Sequence, residues 1–465
     1  MKLSHYLSIL VFTTAVATAQ PSTERLGIEN DYARINAEAE KASKIPLLPA
    51  AELTERAGMP NLFAKLEQGE PVTIAYYGGS ITAGPGWRSI TLDWFQKNYP
   101  KAKITELNAS LGGSGSLVGV FRADQDLVSQ KPDAVFIEFS LNDVADVRDR
   151  PAEVAGALEG IIRKLRRSKP ETDICLAYTL HSSGVDLLHE GKFSASVSLH
   201  ENIARHYELP TIHMGMEAAQ LAKDGKLVFT APKSPGDKDA QGRMIFSNDG
   251  THPSESGHAL NGAAAIRGLE KLRSNAKAAP HAMPAPLADI PWEKAKTIAA
   301  EGHATFSGTW EKLTAADGPS CRRFGKRFYT WFPHLYRTGT PDSSVTVRFR
   351  GTHIGLKGME GPDSGVVSIR MDDQPPVKQT LFTVYASAWV YVGAPLPAVA
   401  MGDHTVTWTL LDEVPQKEKM LAVKKSDQDF RDHPDKYKNN TFSVGQIIVL
   451  GDLLDEKGNP VDVRK

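Results

Sequence analysis

Between residues 71 and 273, short apolar runs alternate with longer stretches of helical spacing. Runs at 72–77, 104–108, 134–139, 174–179 and 211–214 are rich in β-branched or aromatic residues and end at glycine or polar positions, which predicts strands. Between them, 151–167 carries Val154, Leu158, Ile161, Ile162 and Leu165 at helical intervals, with Pro151 suited to a first turn. The stretches 116–129, 194–207 and 254–272 read the same way. Strand–helix alternation repeated five times predicts an α/β domain, a parallel sheet with helices on both faces. Chemistry in such sheets sits at the carboxyl ends of the strands, so those ends define where candidates are sought.

Beyond about residue 301 the helical period disappears. Strand-like segments at 344–349, 353–356, 366–371, 380–384, 388–392, 404–410 and 444–450 are separated by Gly, Pro and Asp turns, and several alternate apolar with polar residues. This predicts an all-β sandwich. A charged stretch at 412–440 reads as a solvated excursion from it. The Ala- and Pro-rich segment from 276, with prolines at 280, 284, 286 and 291, reads as a linker or a wrapping strand. At the other end, Lys2, an apolar run at 6–15 and Ala17-Thr18-Ala19 form a signal-peptide pattern, too short for a membrane span of ~20 residues. The expected organisation is a signal peptide at 1–19, a lead-in at 20–70, the α/β domain at 71–275, a linker at 276–300 and the β domain at 301–465. The mature protein is expected to be secreted or periplasmic, with no membrane insertion.

Composition narrows the function classes. The 465 residues are 41% hydrophobic and 23% charged, ordinary for a folded domain protein. Lys plus Arg total 54 against 55 Asp plus Glu, which gives no electrostatic case for a nucleic-acid partner. Two cysteines cannot build a disulfide framework. Cys175 lies in an apolar run and is expected as a buried thiol, with a Cys175–Cys321 bridge open in an oxidising compartment.

Four strand ends or loops carry candidate chemistry. The first strand runs into Gly78-Gly79-Ser80-Ile81-Thr82, which sets Ser80 at its carboxyl end. Ser80 is there either a nucleophile or a helix cap. The second strand ends in Asn108-Ala109-Ser110-Leu111-Gly112-Gly113-Ser114-Gly115. That spacing misses both G-x-G-x-x-G and the P-loop, but such a turn can present a backbone N–H to an oxyanion. The third ends at Leu141-Asn142-Asp143, where the Asn142 amide is a second donor or an Asx turn. Finally, Asp249-Gly250-Thr251-His252 places a carboxylate three residues from an imidazole, a spacing able to fix its tautomer.

The chain order Ser, Gly, Asn, Asp-x-x-His resembles the SGNH hydrolases, or GDSL esterases, over about residues 71–273. The first block, Gly79-Ser80-Ile81, departs from Asp-Ser-Leu toward the Gly-Gly-Ser-Ile-Thr variant of that superfamily. The resemblance implies a five-stranded parallel sheet sandwiched by helices. It implies Ser80 as nucleophile, His252 as general base, Asp249 as its orienting carboxylate, and Ser80, Gly113 and Asn142 as oxyanion donors. Gly113 is preferred over Gly112 and Gly115 when Asn108-Ala109-Ser110 is aligned with the family's Asn-Ala-Ser segment. No metal or other cofactor is implied.

Trp87, after a Gly-Pro-Gly turn, and His181, after the fourth strand, are further candidates for contact with substrate. Export and an appended β-sandwich (jelly-roll-like) domain are similar to carbohydrate esterases that deacetylate polysaccharides. The expected partner is therefore an acetylated polysaccharide or oligosaccharide. A general short-chain lipid or aryl esterase, and an inactive glycan-binding protein, are the alternatives. The cluster from Arg322 to Phe332 interleaves cations with aromatics, as a glycan platform or as core.

Overall fold

The computed structural model describes residues 32–273, 278–322 and 324–462. The expected signal peptide lies outside the described residues. Strands β1 (Leu53–Thr54), β2 (Val72–Gly78), β3 (Ile104–Asn108), β4 (Ala134–Glu138), β5 (Asp173–Tyr178) and β6 (Thr211–His213) form one sheet in the order β1-β6-β5-β4-β2-β3. The five strands read from the sequence run parallel, as each β–α–β return requires. The lead-in adds β1, a short strand antiparallel to β6 at one edge.

Both faces of this sheet are covered. Along β2, Ala75 and Tyr77 point into a core shared with the helices Ser116–Asp126, Pro151–Ser168 and Ala195–His206. Val72, Ile74 and Tyr76 point the opposite way, toward Pro60–Gln68, Trp87–Asn98 and Glu255–Leu272. That explains why the strand reads as continuously apolar rather than alternating. Side chains set two helix starts. Ser194 accepts from the Val197 N–H at 3.3 Å, and Ser254 accepts from the Gly257 N–H at 3.1 Å. A parallel pair, β7 (Leu227–Thr230) with β8 (Met244–Ser247), lies beside the main sheet, and β8 leads straight into the loop of Asp249 and His252.

The rest of the chain is antiparallel. Strands β9 (Ala295–Ala299), β10 (Thr305–Ser307), β11 (Glu311–Leu313), β12 (Leu335–Thr338), β13 (Ser344–Glu360), β14 (Val366–Met371), β15 (Val377–Thr380), β16 (Val390–Val392), β17 (Gly402–Leu410), β18 (Phe442–Val444) and β19 (Gln446–Leu453) form two sheets. The larger is ordered β15-β14-β17-β13-β19-β9, and β11-β12-β18 is the smaller. Phe442 and Val444 of the smaller sheet share a core with Val345, Val347 and Trp408 of the larger.

Several expectations are corrected here. The two strands expected at 344–349 and 353–356 are one, β13, with a register shift between Gly351 and His353. A Cβ on Gly351 would lie 2.3 Å from the Leu450 oxygen, so the glycine marks a close crossing of β13 and β19 rather than a turn. The strand expected at 380–384 is instead β15, because Phe382 leaves the sheet for a small core with Leu421 and Tyr437. That core also corrects the 412–440 stretch. Two short helices there bury Leu421, and the Lys417 ammonium is buried against the Tyr437 and Asn439 carbonyls at 2.8 and 2.6 Å. Cys175 and Cys321 are both free thiols, buried in separate cores.

The segment before β9 wraps the Pro151–Ser168 helix. Leu287 and Ala288 donate N–H groups to Glu159 at 2.6 and 2.8 Å, and Trp292 sits against Gly156 and Gly160, where any Cβ would clash. On the β domain, Ile448 and Leu450 of β19 join the same core as Phe121 and Leu158, so the two domains share packed side chains. Among the described residues no helix is long and apolar enough to cross a membrane.

Candidate active site

Ser80 begins a one-turn helix, Ser80–Ala83, directly off the carboxyl end of β2. The turn is pinned from below. The Gly79 N–H donates to the Glu138 carbonyl at 3.2 Å, and Thr82 Oγ1 donates to the Glu138 carboxylate at 2.8 Å. Thr179, at the end of β5, donates to the other carboxylate oxygen at 2.9 Å. Glu138 is 1% exposed, and burial pushes its carboxyl up to about 7 against the lowering effect of these donors. The sequence reading missed it, because one Glu inside an apolar run gives no sign of what it touches.

Ser80 Oγ lies 2.8 Å from His252 Nε2, and His252 Nδ1 lies 2.7 Å from Asp249 Oδ2. The second carboxylate oxygen, Oδ1, accepts the backbone N–H groups of Thr251 and His252 at 2.9 and 2.7 Å. Asp249 therefore folds the loop and orients the imidazole at once. Burial acts to raise its pKa, but the His252 ring and these N–H groups outweigh that and hold it well below the usual carboxylate range. It stays ionised, so Nδ1 keeps its proton and Nε2 is the acceptor facing Ser80. The buried Ser247 hydroxyl closes the loop by donating to the His252 carbonyl at 2.8 Å. The His252 and Asp249 side chains are 52% and 56% exposed, so this is an open site.

The glycine turn and Asn142 follow β3 and β4, at the same carboxyl end of the sheet. Leu111 N–H donates to the Gly78 carbonyl at 3.0 Å, and Ser110 Oγ accepts from Gly78 N–H at 3.0 Å, which ties the turn to β2. Gly113 has φ +76, a left-handed conformation, with nothing within 4 Å of where a Cβ would sit. Asn142 packs directly on Gly79, where a Cβ would sit 1.9 Å from Asn142 Oδ1. Among the described residues, no protein acceptor takes the N–H of Ser80, the N–H of Gly113 or the Asn142 amide. Asp143 is buried and accepts from Ser116 N–H and Oγ at 2.7 and 2.6 Å and pairs with His200 Nε2 at 2.9 Å, locking the Asn142 loop to two helices.

Two expected substrate contacts are corrected. Trp87 is 1% exposed and packs edge-on against Tyr76 and Phe136, with its indole N–H donated to Thr82 Oγ1 at 3.2 Å. It supports the Ser80 turn from inside the core and offers no pocket wall. His181 is 5% exposed, and its Nδ1 accepts from the Ser183 N–H at 3.1 Å, capping the next short helix. Its neighbour Ser182 reaches the loop of Asp249 and His252, through an N–H to the Gly250 carbonyl at 3.0 Å. In the Arg322–Phe332 cluster, Phe328 and Phe332 are core, while Arg322 is exposed and bonds Ser387.

A serine, imidazole and carboxylate in hydrogen-bonded series beside N–H donors have the arrangement that nucleophilic acyl transfer requires. Residues 76–260 match the model of the GDSL-like Lipase/Acylhydrolase family. No curated protein matches the chain. Among solved structures, a two-domain esterase (CEX) active on acetylated mannans is similar over 85% of this chain and 98% of its own, at 22% identity and a TM-score of 0.62. The same esterase co-crystallised with mannopentaose matches over the same shares, at 20% identity and a TM-score of 0.61. At these identities the likeness establishes a shared two-domain fold.

Proposed function

We propose that the protein is a secreted serine esterase that removes O-acetyl groups from a polysaccharide or oligosaccharide through an acyl-enzyme. The observation that carries this reading is the continuous series Ser80 Oγ–His252 Nε2 at 2.8 Å and His252 Nδ1–Asp249 Oδ2 at 2.7 Å. Ser80 Oγ attacks the acetyl carbonyl carbon as its proton passes to His252 Nε2. The tetrahedral oxyanion takes the N–H groups of Ser80 and Gly113 and the Asn142 amide. His252 then protonates the departing sugar hydroxyl, leaving Ser80 acetylated. Water attacks that ester, gives its proton to His252, and acetate leaves as Ser80 recovers the proton. Asp249 stays ionised throughout and stabilises the imidazolium.

The substrate class is supported by the openness of the site and by the two-domain fold shared with an esterase active on acetylated mannans. A triad half-exposed to water suits an acetyl group borne on a bulky, hydrated chain. The test is acetate release from acetylated mannan, xylan and pectin, with 4-nitrophenyl acetate, butyrate and octanoate alongside. Acetate release from one glycan, with turnover falling steeply beyond butyrate, is expected. Octanoate as the best ester, with every glycan inert, would overturn the carbohydrate assignment.

A further inference from the structure

The Gly113 turn is held on its far side by a group that none of the four motif blocks contains. Arg122 lies on the Ser116–Asp126 helix and is 3% exposed. Its Nη1 donates to Ser114 Oγ at 3.0 Å, and its Nη2 donates to the Ala109 carbonyl. The Ser114 hydroxyl in turn donates to the Leu111 carbonyl at 2.7 Å. One guanidinium thus grips the turn at both ends, before and after Gly113. The third edge of the fork, Nε, donates to Asp126 Oδ2 at 2.7 Å, one helical turn on. The guanidinium carbon sits 5.0 Å from the centre of the Tyr77 ring, on the strand that carries Ser80.

A buried charge so placed demands a complete set of partners, and the β domain helps to enclose them. Thr297 of β9 donates to the Phe121 carbonyl at 2.7 Å and accepts from the Lys357 ammonium of β13 at 3.0 Å. Lys357 is itself 1% exposed and lies 5.9 Å from the Tyr391 ring centre. Gln125, on the same helix, donates to the Trp331 carbonyl at 3.3 Å. The face of the helix next to Arg122 is therefore sealed by strands of the second domain.

We propose that Arg122 is a positioning residue that fixes the Gly113 N–H for the tetrahedral intermediate, an inference resting on the esterase reading above. Arg122 touches no reacting atom. Its planar fork reaches the Ala109 carbonyl, the Ser114 hydroxyl and Asp126 together, which the single ammonium of lysine does not. Loss of the fork frees the turn while leaving Ser80, His252 and Asp249 in place.

The experiment uses the full chain carrying Arg122→Gln or Arg122→Lys, assayed on 4-nitrophenyl acetate, with Ser80→Ala as reference. Arg122→Gln is expected to lower kcat by about 10²-fold, near the loss of one oxyanion donor, with KM within about threefold of wild type. Arg122→Lys keeps the charge and the Asp126 pair and is expected to recover about tenfold of that loss. If Arg122→Gln does not fold, Arg122→Lys decides alone, with an expected kcat about tenfold below wild type. Folded variants with kcat unchanged, or with KM raised and kcat unchanged, overturn the inference. The two readings fail differently. Turnover retained in Ser80→Ala removes the esterase mechanism itself, whereas an inert Ser80→Ala beside fully active Arg122 variants removes only the role of Arg122.

Discussion

Gly79 and Gly113 separate two reasons for a glycine, and substituting each by alanine tests the oxyanion geometry. At Gly79 the backbone is ordinary, with φ −82, so alanine meets no conformational penalty there. The obstacle is space. The new methyl would lie 1.9 Å from Asn142 Oδ1 and 2.9 Å from its Cγ, so the Asn142 amide must swing away. Losing one such donor typically costs about 2.7–4 kcal/mol in the barrier, a ~10²–10³-fold fall in kcat. Asn142 is half-buried and its amide has solvent to move into, so fold stability should change little.

Gly113→Ala is the converse. Nothing lies within 4 Å of the added methyl, but φ +76 costs an alanine roughly 1–2 kcal/mol of stability. The N–H remains in place, so kcat should hold. The assay is kcat and KM on 4-nitrophenyl acetate, with a thermal melt for each variant. Gly79→Ala should lose kcat with its melt intact, and Gly113→Ala the reverse. Gly79→Ala and Asn142→Ala should also fail to add, because both remove one donor. A folded Gly79→Ala that keeps kcat within about threefold of wild type refutes the placement of Asn142 as an oxyanion donor.

Trp87→Ala should cost about 3–5 kcal/mol of stability without raising KM, since the ring is core and not a pocket wall; chemical denaturation and KM on acetate esters check the two halves. Glu138 holds its proton up to about 7 in the fold against an ordinary 4.5, so ionising it disfavours the native state. Stability should accordingly fall as pH rises from 4.5 to 7, and Glu138→Gln should flatten that slope. Melts across that range decide it, and an unchanged slope in the variant would place the titration elsewhere.

Much of this fold was legible because its α/β half obeys one strong rule. Strands covered on both faces read as apolar runs, as β2, β4 and β5 do. The edge strand β3 and, in the second domain, β14 begin and end at the residues the pattern indicates. Ser194 and Ser254, where two of the expected helical stretches begin, cap those helices by accepting an N–H only three residues on. The Asp249–His252 pairing was legible for the same reason, being contained in a four-residue turn.

What stayed hidden depends on partners far away in sequence. Trp87 follows a Gly-Pro-Gly turn, a setting common to surface aromatics, and its packing on Tyr76 and Phe136 reveals that it is core. His181 sits on the expected side of the sheet, yet Ser183 turns it inward. The charged text of 412–440 conceals Leu421 and Tyr437, whose partner Phe382 lies in a segment that reads as strand. Glu138, Asp143 and Arg122 each sit beside or between motif residues. Their roles come from hydrogen bonds to backbone and hydroxyls that periodicity does not encode.

The central claim is that Ser80 becomes acylated with His252 as its base. The measurement that reaches it most directly is an acid quench of the enzyme during turnover of 4-nitrophenyl acetate, followed by peptide mass mapping. One acetyl group is expected on the peptide containing Ser80, absent in Ser80→Ala and accumulating far more slowly in His252→Ala. Turnover by the wild type with the acetyl group on another residue, or with Ser80→Ala equally active, would contradict it.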